Sequence, residues 1–328
     1  MPAAGRLGEG TPRISPFTFL ISLFTLPALL LTACGDNNNA STNNDKINVI
    51  TTLPLFADFV RNVGGDRVDV TSLLPLGADP HTFEPSPRDV EPITKADIAF
   101  ANGLDLEPGL IKVLEANLPD DAELVLLGEE SLVESLRRAA PSPTGDAAEL
   151  LSYFPEDPHL WMASENADDY VQTIWHRLER LDGTSSQAYE IKFFSYLDQI
   201  VDASEYLTEK ADSVRPENQK LVTSHEAFDW LAYDIGYDAV AAVAEAPGQE
   251  SSPRKIADVA SEIKAYRALA VFSEPQISEE SHILEQAAED AGVQVCTLYA
   301  DSLDDEVSTY IEMMRFNADE LARCLGGD

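Results

Sequence analysis

The stretch DIAFANGLDLEPGLIKVLEANLPDDAELVLLG, residues 97–128, decides the fold. DIAFANG (97–103) has the short apolar run and the Asn-Gly close of a buried strand. From Pro108, a good first residue for a helix, apolar positions recur at three- and four-residue steps through EPGLIKVLEANL. AELVLLG (122–128) then reads as a second strand. Strand, helix and strand in succession predict parallel strands with the helix packed on the sheet face.

The same alternation extends to both sides. INVITT (47–52) is a strand, PLFADFVRNVGG a helix ending on glycine, and RVDVTSLL (67–74) a further strand; SPRDVEPITKA can open a helix that Pro92 limits. Later, KLVTS (220–224), DAVAAV (238–243), ALAVFSE (268–274) and VQVCTLY (293–299) are strands. Helices are expected over 226–235, near 253–265, through 279–291 and up to LARCLGGD. A helix after Glu165 carries YVQTIWHRLERLD, and residues 137–157 read mostly as a loop. Between the two βα regions, residues 185–214 run without proline or glycine, and Pro216 ends them. Within that run Ile191, Phe194, Leu197, Ile200 and Val201 predict one apolar face of a long helix. The expected fold is α/β, with two Rossmann-like lobes of parallel sheet over 46–183 and 216–328. One long rigid helix, 184–215, joins them.

The first residues stand apart. Arg6 and Arg13 precede the fifteen-residue apolar run FTFLISLFTLPALLL (17–31), short for a membrane span and suited to a signal-peptide core. LTAC (31–34) resembles the lipobox of bacterial lipoproteins, which implies cleavage after residue 33 and lipid on Cys34. Residues 34–45 then form a polar tether with nothing to bury. The protein is therefore expected to be exported and held by acyl chains on the extracytoplasmic side of a bacterial envelope. The net charge of −36 argues against nucleic acid and against an anionic membrane face as partners. Besides Cys34, the cysteines are Cys296 and Cys324. They can close a late loop, worth roughly 2–4 kcal/mol if unstrained, or remain two buried thiols, which suits an exported protein less well.

Five histidines are present, and two share a tripeptide: Asp79-Pro80-His81 and Asp157-Pro158-His159. His81 lies in GADPHTFEPSPRD (77–89), where Pro80, Pro85 and Pro87 stiffen the backbone on both sides. His225 follows the strand KLVTS, and Asp301 follows VQVCTLY in the same way. Ligands of open α/β sheets collect at the carboxyl ends of strands. A loop histidine alone is more often solvated or hydrogen-bonded than a ligand; the repeated tripeptide and the strand-end positions favour a site here. His81, His159, His225 and Asp301 would draw two donors from each lobe into the cleft. Three imidazoles and a carboxylate suit Zn²⁺ in four-coordinate geometry. Asp79, Asp157 and Glu226 are candidates to hold the second imidazole nitrogens. His176 and His282 fall inside helical patterns and read as structural.

The lipobox, ADPHTFEPSPRDV with ADIAFANGLDLE, DPHLWM, TSHEAFDWLAYDIG, FSEPQIS and LYADSL, in this order, resemble the zinc/manganese-binding solute-binding lipoproteins of bacterial metal ABC importers, the cluster A-I family. The resemblance covers roughly residues 46–328. It implies two α/β lobes on a rigid helix, a metal between them, and a membrane permease as partner. It also implies His81, His159, His225 and Asp301 as ligands and Glu274 of the EPQ motif behind them. Manganese-binding members tend to carry glutamate at the third position, so His225 favours Zn²⁺ over Mn²⁺. Residues 137–157 lack the histidine-rich loop of many zinc-binding members, and Pro108-Gly109 stands where an aromatic is common. Cys324 resembles a cysteine that some zinc-binding members pair in a disulfide; its partner here would have to be Cys296.

The expected function is capture of Zn²⁺, alternatively Mn²⁺, and delivery to the permease by a monomer without catalytic activity. A zinc-dependent hydrolase is the rival of another class, but it needs an open metal position and a general base. Neither HExxH nor GxSxG occurs. A lipoprotein adhesin would also suit the anchor.

Overall fold

The computed structural model describes residues 46–139, 157–244, 247 and 253–326. The signal segment, Cys34, the tether and most of the 137–157 loop lie outside them. Strands β1 (Ile47–Thr51), β2 (Val68–Ser72), β3 (Ile98–Ala101) and β4 (Glu123–Leu126) form a parallel sheet in the order β2-β1-β3-β4. Strands β5 (Lys220–His225), β6 (Asp238–Ala244), β7 (Ala270–Ser273) and β8 (Gln294–Thr297) repeat that order as β6-β5-β7-β8, again parallel. Every residue of the central strand β3 is buried, whereas the edge strand β2 alternates. A parallel sheet covered on both faces requires that difference. In each sheet the chain leaves β1 or β5 to one side and β3 or β7 to the other. A crevice therefore opens between those strand ends.

The described helices are α1 (Pro54–Gly64), α2 (Val90–Ile93), α3 (Pro108–Asn117), α4 (Leu127–Ala139), α5 (Ser164–Leu181), α6 (Ser186–Asp212), α7 (Asp229–Ile235), α8 (Pro253–Tyr266), α9 (Ser278–Ala291) and α10 (Tyr310–Leu325). Helix α4 begins directly after β4 and runs to Ala139, covering the first three residues of the expected loop. Leu127 and Gly128 are its first turn rather than the end of a strand.

Helix α6 is the long connector, but it buries a different face from the one the aliphatic spacing predicts. Tyr189, Phe193, Tyr196, Ile200, Ala203, Leu207 and Ala211 face inward. Ile191, Phe194 and Val201 are 63%, 49% and 45% exposed. Tyrosine decides the register because its ring is a large apolar body once the hydroxyl is satisfied. Tyr196 donates to Asp58 Oδ2 at 3.0 Å and Tyr189 to Asp182 Oδ2 at 3.2 Å.

The same region joins the two lobes. Phe59 of α1 lies 6.1 Å from the Tyr196 ring of α6 and 5.0 Å from the Tyr310 ring of α10, centroid to centroid. Asp58 Oδ2 also accepts from the Tyr310 backbone N–H at 3.1 Å. One apolar core consequently runs from the first sheet through α6 into the second lobe, and a smaller core lies around Val222, Val259, Ile263, Val271 and Leu284. Cys296 of β8 and Cys324 of α10 are joined by a disulfide. Among the described residues no helix is long and apolar enough to cross a membrane.

Candidate metal centre

His81 sits in the irregular loop after β2, and its position is set by Asp79. The Asp79 carboxylate accepts from the His81 backbone N–H at 2.9 Å and from the Thr82 hydroxyl at 2.6 Å. Such a turn is what Asp ahead of proline promotes. The carboxylate expected behind the His81 ring is thus used on the backbone. The loop also crosses to the other lobe, since Gly77 N–H points to Leu303 O at 2.9 Å and Ser302 Oγ at 3.0 Å. Gly77 has φ +74°, a conformation that glycine adopts without strain.

The second Asp-Pro-His repeats the turn. Asp157 Oδ1 accepts from His159 N–H at 2.8 Å and stands 2.5 Å from His159 Nδ1. That contact places the proton on Nδ1 and turns Nε2 toward the cleft. His225 ends β5, and its Nδ1 lies 2.6 Å from Glu274 Oε1 at the end of β7. Glu274 accepts in addition from Ser224 Oγ at 3.3 Å and Gln276 Nε2 at 3.0 Å. Glu274 therefore backs His225, whereas Glu226 is exposed and follows the strand outward. Asp301 lies in the loop after β8, with Trp161 Nε1–H donating to the neighbouring Ala300 O at 3.1 Å.

These four side chains converge. His81 Nε2 is 3.3 Å from His159 Nε2 and 3.5 Å from Asp301 Oδ2. His159 Nε2 is 2.7 Å from Asp301 Oδ1, and His225 Nε2 is 3.3 Å from Asp301 Oδ2. One donor atom from each residue lies within 4.8 Å of all the others. His159, His225 and Asp301 are fully buried, and the His81 side chain is 9% exposed. Despite the short separations, both Asp301 oxygens and both ring nitrogens of His225 lack a directed hydrogen bond.

The electrostatics follow from packing imidazoles among carboxylates. Burial alone would lower the His159 pKa, but Asp301 and Asp157 outweigh it and push it up to about 10. Burial likewise opposes charge on His225, and Glu274 with Asp301 raises it well above the usual histidine range. Burial would raise Asp301, while His159 foremost holds it well below the usual carboxylate range. The pocket thus favours positive charge at its centre. His176 and His282 lie far out on helices with side chains 51% and 82% exposed, and they take no part. Glu320 with Cys296 and Cys324 also forms a donor cluster, but both sulfurs are committed to the disulfide.

Sequence reasoning missed the buried network behind His159, built from Glu107, Asn102, Tyr170 and Trp230. Asn102 directly after an apolar strand was its one local sign.

A family model described as ZnuA, zinc-uptake complex component A, periplasmic, matches residues 49–324. The iron-binding protein YfeA of Yersinia pestis is 30% identical over 319 residues, 95% of this chain and 98% of that one. The manganese-binding lipoprotein MntA of Halalkalibacterium halodurans is 27% identical over 308 residues, 92% and 96% of the two chains. A cadmium-bound periplasmic metal-binding protein from Candidatus Liberibacter asiaticus superposes with TM-score 0.70 at 25% identity. The match covers 86% of this chain and 100% of that one, and that protein is also known with manganese bound. The chain belongs to the ZnuA family: it is an exported, lipid-anchored, non-catalytic receptor for a divalent metal that works with a membrane ABC permease.

Proposed function

We propose that His81, His159, His225 and Asp301 hold the metal cargo in the interlobe crevice, and that this cargo is Mn²⁺ in the cell. The observation that carries the ligand assignment is the convergence of four donors, three of them buried, with two of the residues lacking directed hydrogen bonds. Buried polar atoms are ordinarily paired, and a shared cation is the partner that satisfies all four. Four protein donors leave a small cation enclosed, which suits retention and transfer better than chemistry on a bound water.

For the metal, relatives named for manganese and a neighbour known in its manganese-bound form support Mn²⁺. Zn²⁺ is the second reading, favoured by three imidazoles and by the family's description. Affinity alone does not separate them, because nitrogen and oxygen sites generally bind Zn²⁺ more tightly than Mn²⁺. The deciding experiment is the metal content of protein purified from its native envelope without chelator, paired with uptake of radiolabelled Mn²⁺ and Zn²⁺ by cells lacking it. Manganese in the protein and a selective loss of Mn²⁺ uptake are expected. Zinc in the protein with Mn²⁺ uptake intact would reverse the assignment. Separately, His81→Ala, His159→Ala and Asp301→Ala should each weaken metal binding by at least ~10-fold by calorimetry.

A further inference from the structure

The segment Asp157-Pro158-His159 is held from both lobes at once. On one side, Trp230 of α7 donates its indole N–H to Asp157 O at 2.7 Å, and Asp229 N–H donates to Asp157 Oδ2 at 3.1 Å. On the other, Asn102 after β3 donates from Nδ2 to Pro158 O at 2.9 Å. His159 follows directly, with its ring buried and oriented by Asp157.

Asn102 is itself held on every polar atom. Its Nδ2 also donates to Gly103 O at 3.1 Å, and its Oδ1 accepts from Tyr170 OH at 2.6 Å. Its backbone N–H donates to Glu107 Oε1 at 2.6 Å, and its O accepts from Gly128 N–H at 2.9 Å. The amide cannot flip without setting its oxygen against two carbonyls. A Cβ on Gly128 would lie 2.8 Å from both Asn102 O and Asn102 Oδ1. Glu107 completes the support by accepting from Thr52 Oγ1 at 2.9 Å. In the second lobe a hydroxyl at the end of a strand, Ser224, likewise meets a buried carboxylate, Glu274, which touches its histidine directly. In the first lobe the corresponding support reaches the histidine through Asn102 and a backbone carbonyl.

We infer that Asn102 and Trp230 are paired positioning residues, one from each lobe, that clamp the backbone on either side of Pro158 and so set the hold of His159 on the metal. The inference rests on His159 being a ligand. Its consequence is that His159 feels lobe position, because displacing the second lobe removes the Trp230 side of the clamp while Asn102 stays with the first.

The test uses the full chain loaded with Co²⁺, whose visible absorption reports coordination geometry. Trp230→Phe removes the indole N–H while keeping an aromatic ring at the position, and Asn102→Ala removes the amide. Gly128→Ala displaces Asn102 without deleting it and carries the first-lobe arm if Asn102→Ala does not fold. Each variant is expected to surrender Co²⁺ to a chelator about 10-fold faster than the parent, with an altered visible spectrum. Wild-type release rates and spectra in the Trp230 and Asn102-region variants, or a lowered melting temperature with an unchanged spectrum, would overturn the clamp. His159→Ala separates the two levels. If it binds and releases Co²⁺ as the parent does, the ligand assignment itself fails. If it loses Co²⁺ while the clamp variants match the parent, the clamp alone fails.

Discussion

Glu107 is wholly buried, takes two hydrogen bonds on Oε1 and leaves Oε2 without a partner. Burial, only partly offset by the Asn102 and Thr52 bonds, raises its pKa to about 7. A carboxyl with a raised folded-state pKa binds its proton more readily in the native state than in the unfolded chain. Its contribution is therefore fully present below the unfolded value, near 4.5, and is lost as pH rises through about 7. At about 1.4 kcal/mol per pH unit, the loss is on the order of 3 kcal/mol. Glu107→Gln keeps an acceptor for both donors and removes the charge. Urea unfolding of the metal-free protein should show the variant gaining on the parent between pH 5 and 8, with no gain at pH 4.

The long helix α6 shows how an element chooses its face. Its inward positions step 189, 193, 196, 200, 203, 207, alternating four and three residues along one stripe. Aliphatic residues next to that stripe remain outside. Ile200→Ala, at a fully buried position, should cost about 2–5 kcal/mol in denaturant unfolding. Ile191→Ser, at a position 63% exposed, should change stability by no more than ~0.5 kcal/mol. Equal costs would restore the aliphatic face. The two Asp-Pro-His loops make the complementary point, because each aspartate caps its own histidine's backbone N–H over two residues. Their conformation is local, which is why the tripeptide was informative without any tertiary contact.

At the scale of the whole molecule, the Phe59–Tyr196–Tyr310 packing and the Asp58 hydrogen bonds tie both lobes to α6. A wide hinge would have to expose that shared core. Small-angle scattering of metal-free and metal-loaded protein should accordingly differ little, and a large compaction on loading would contradict a rigid connector. Metal that binds only the folded state adds RT ln(1 + [L]/Kd), about 2.7 kcal/mol at a hundredfold excess over Kd. Chelation should thus lower the melting temperature, and a ~10-fold weaker His81→Ala should show about half that effect at the same metal concentration. The Cys296–Cys324 bridge spans 28 residues, a loop for which chain entropy predicts roughly 3–4 kcal/mol. A double Cys→Ser variant measured under denaturant checks this value.

The sequence by itself determined the parallel α/β alternation and the long connector, since strand and helix periods are properties of neighbouring residues. It also singled out His81, His159, His225 and Asp301, because a repeated Asp-Pro-His and two strand ends are local signals at positions where α/β folds expose side chains. Three things were left to the tertiary structure: the buried face of α6, the use of Asp79 on backbone and the choice of His225 as the ligand that Glu274 meets, and the network through Asn102, Glu107 and Trp230. Each depends on residues far apart in the chain whose polar atoms must find partners once water is excluded. That requirement exists only in the packed molecule.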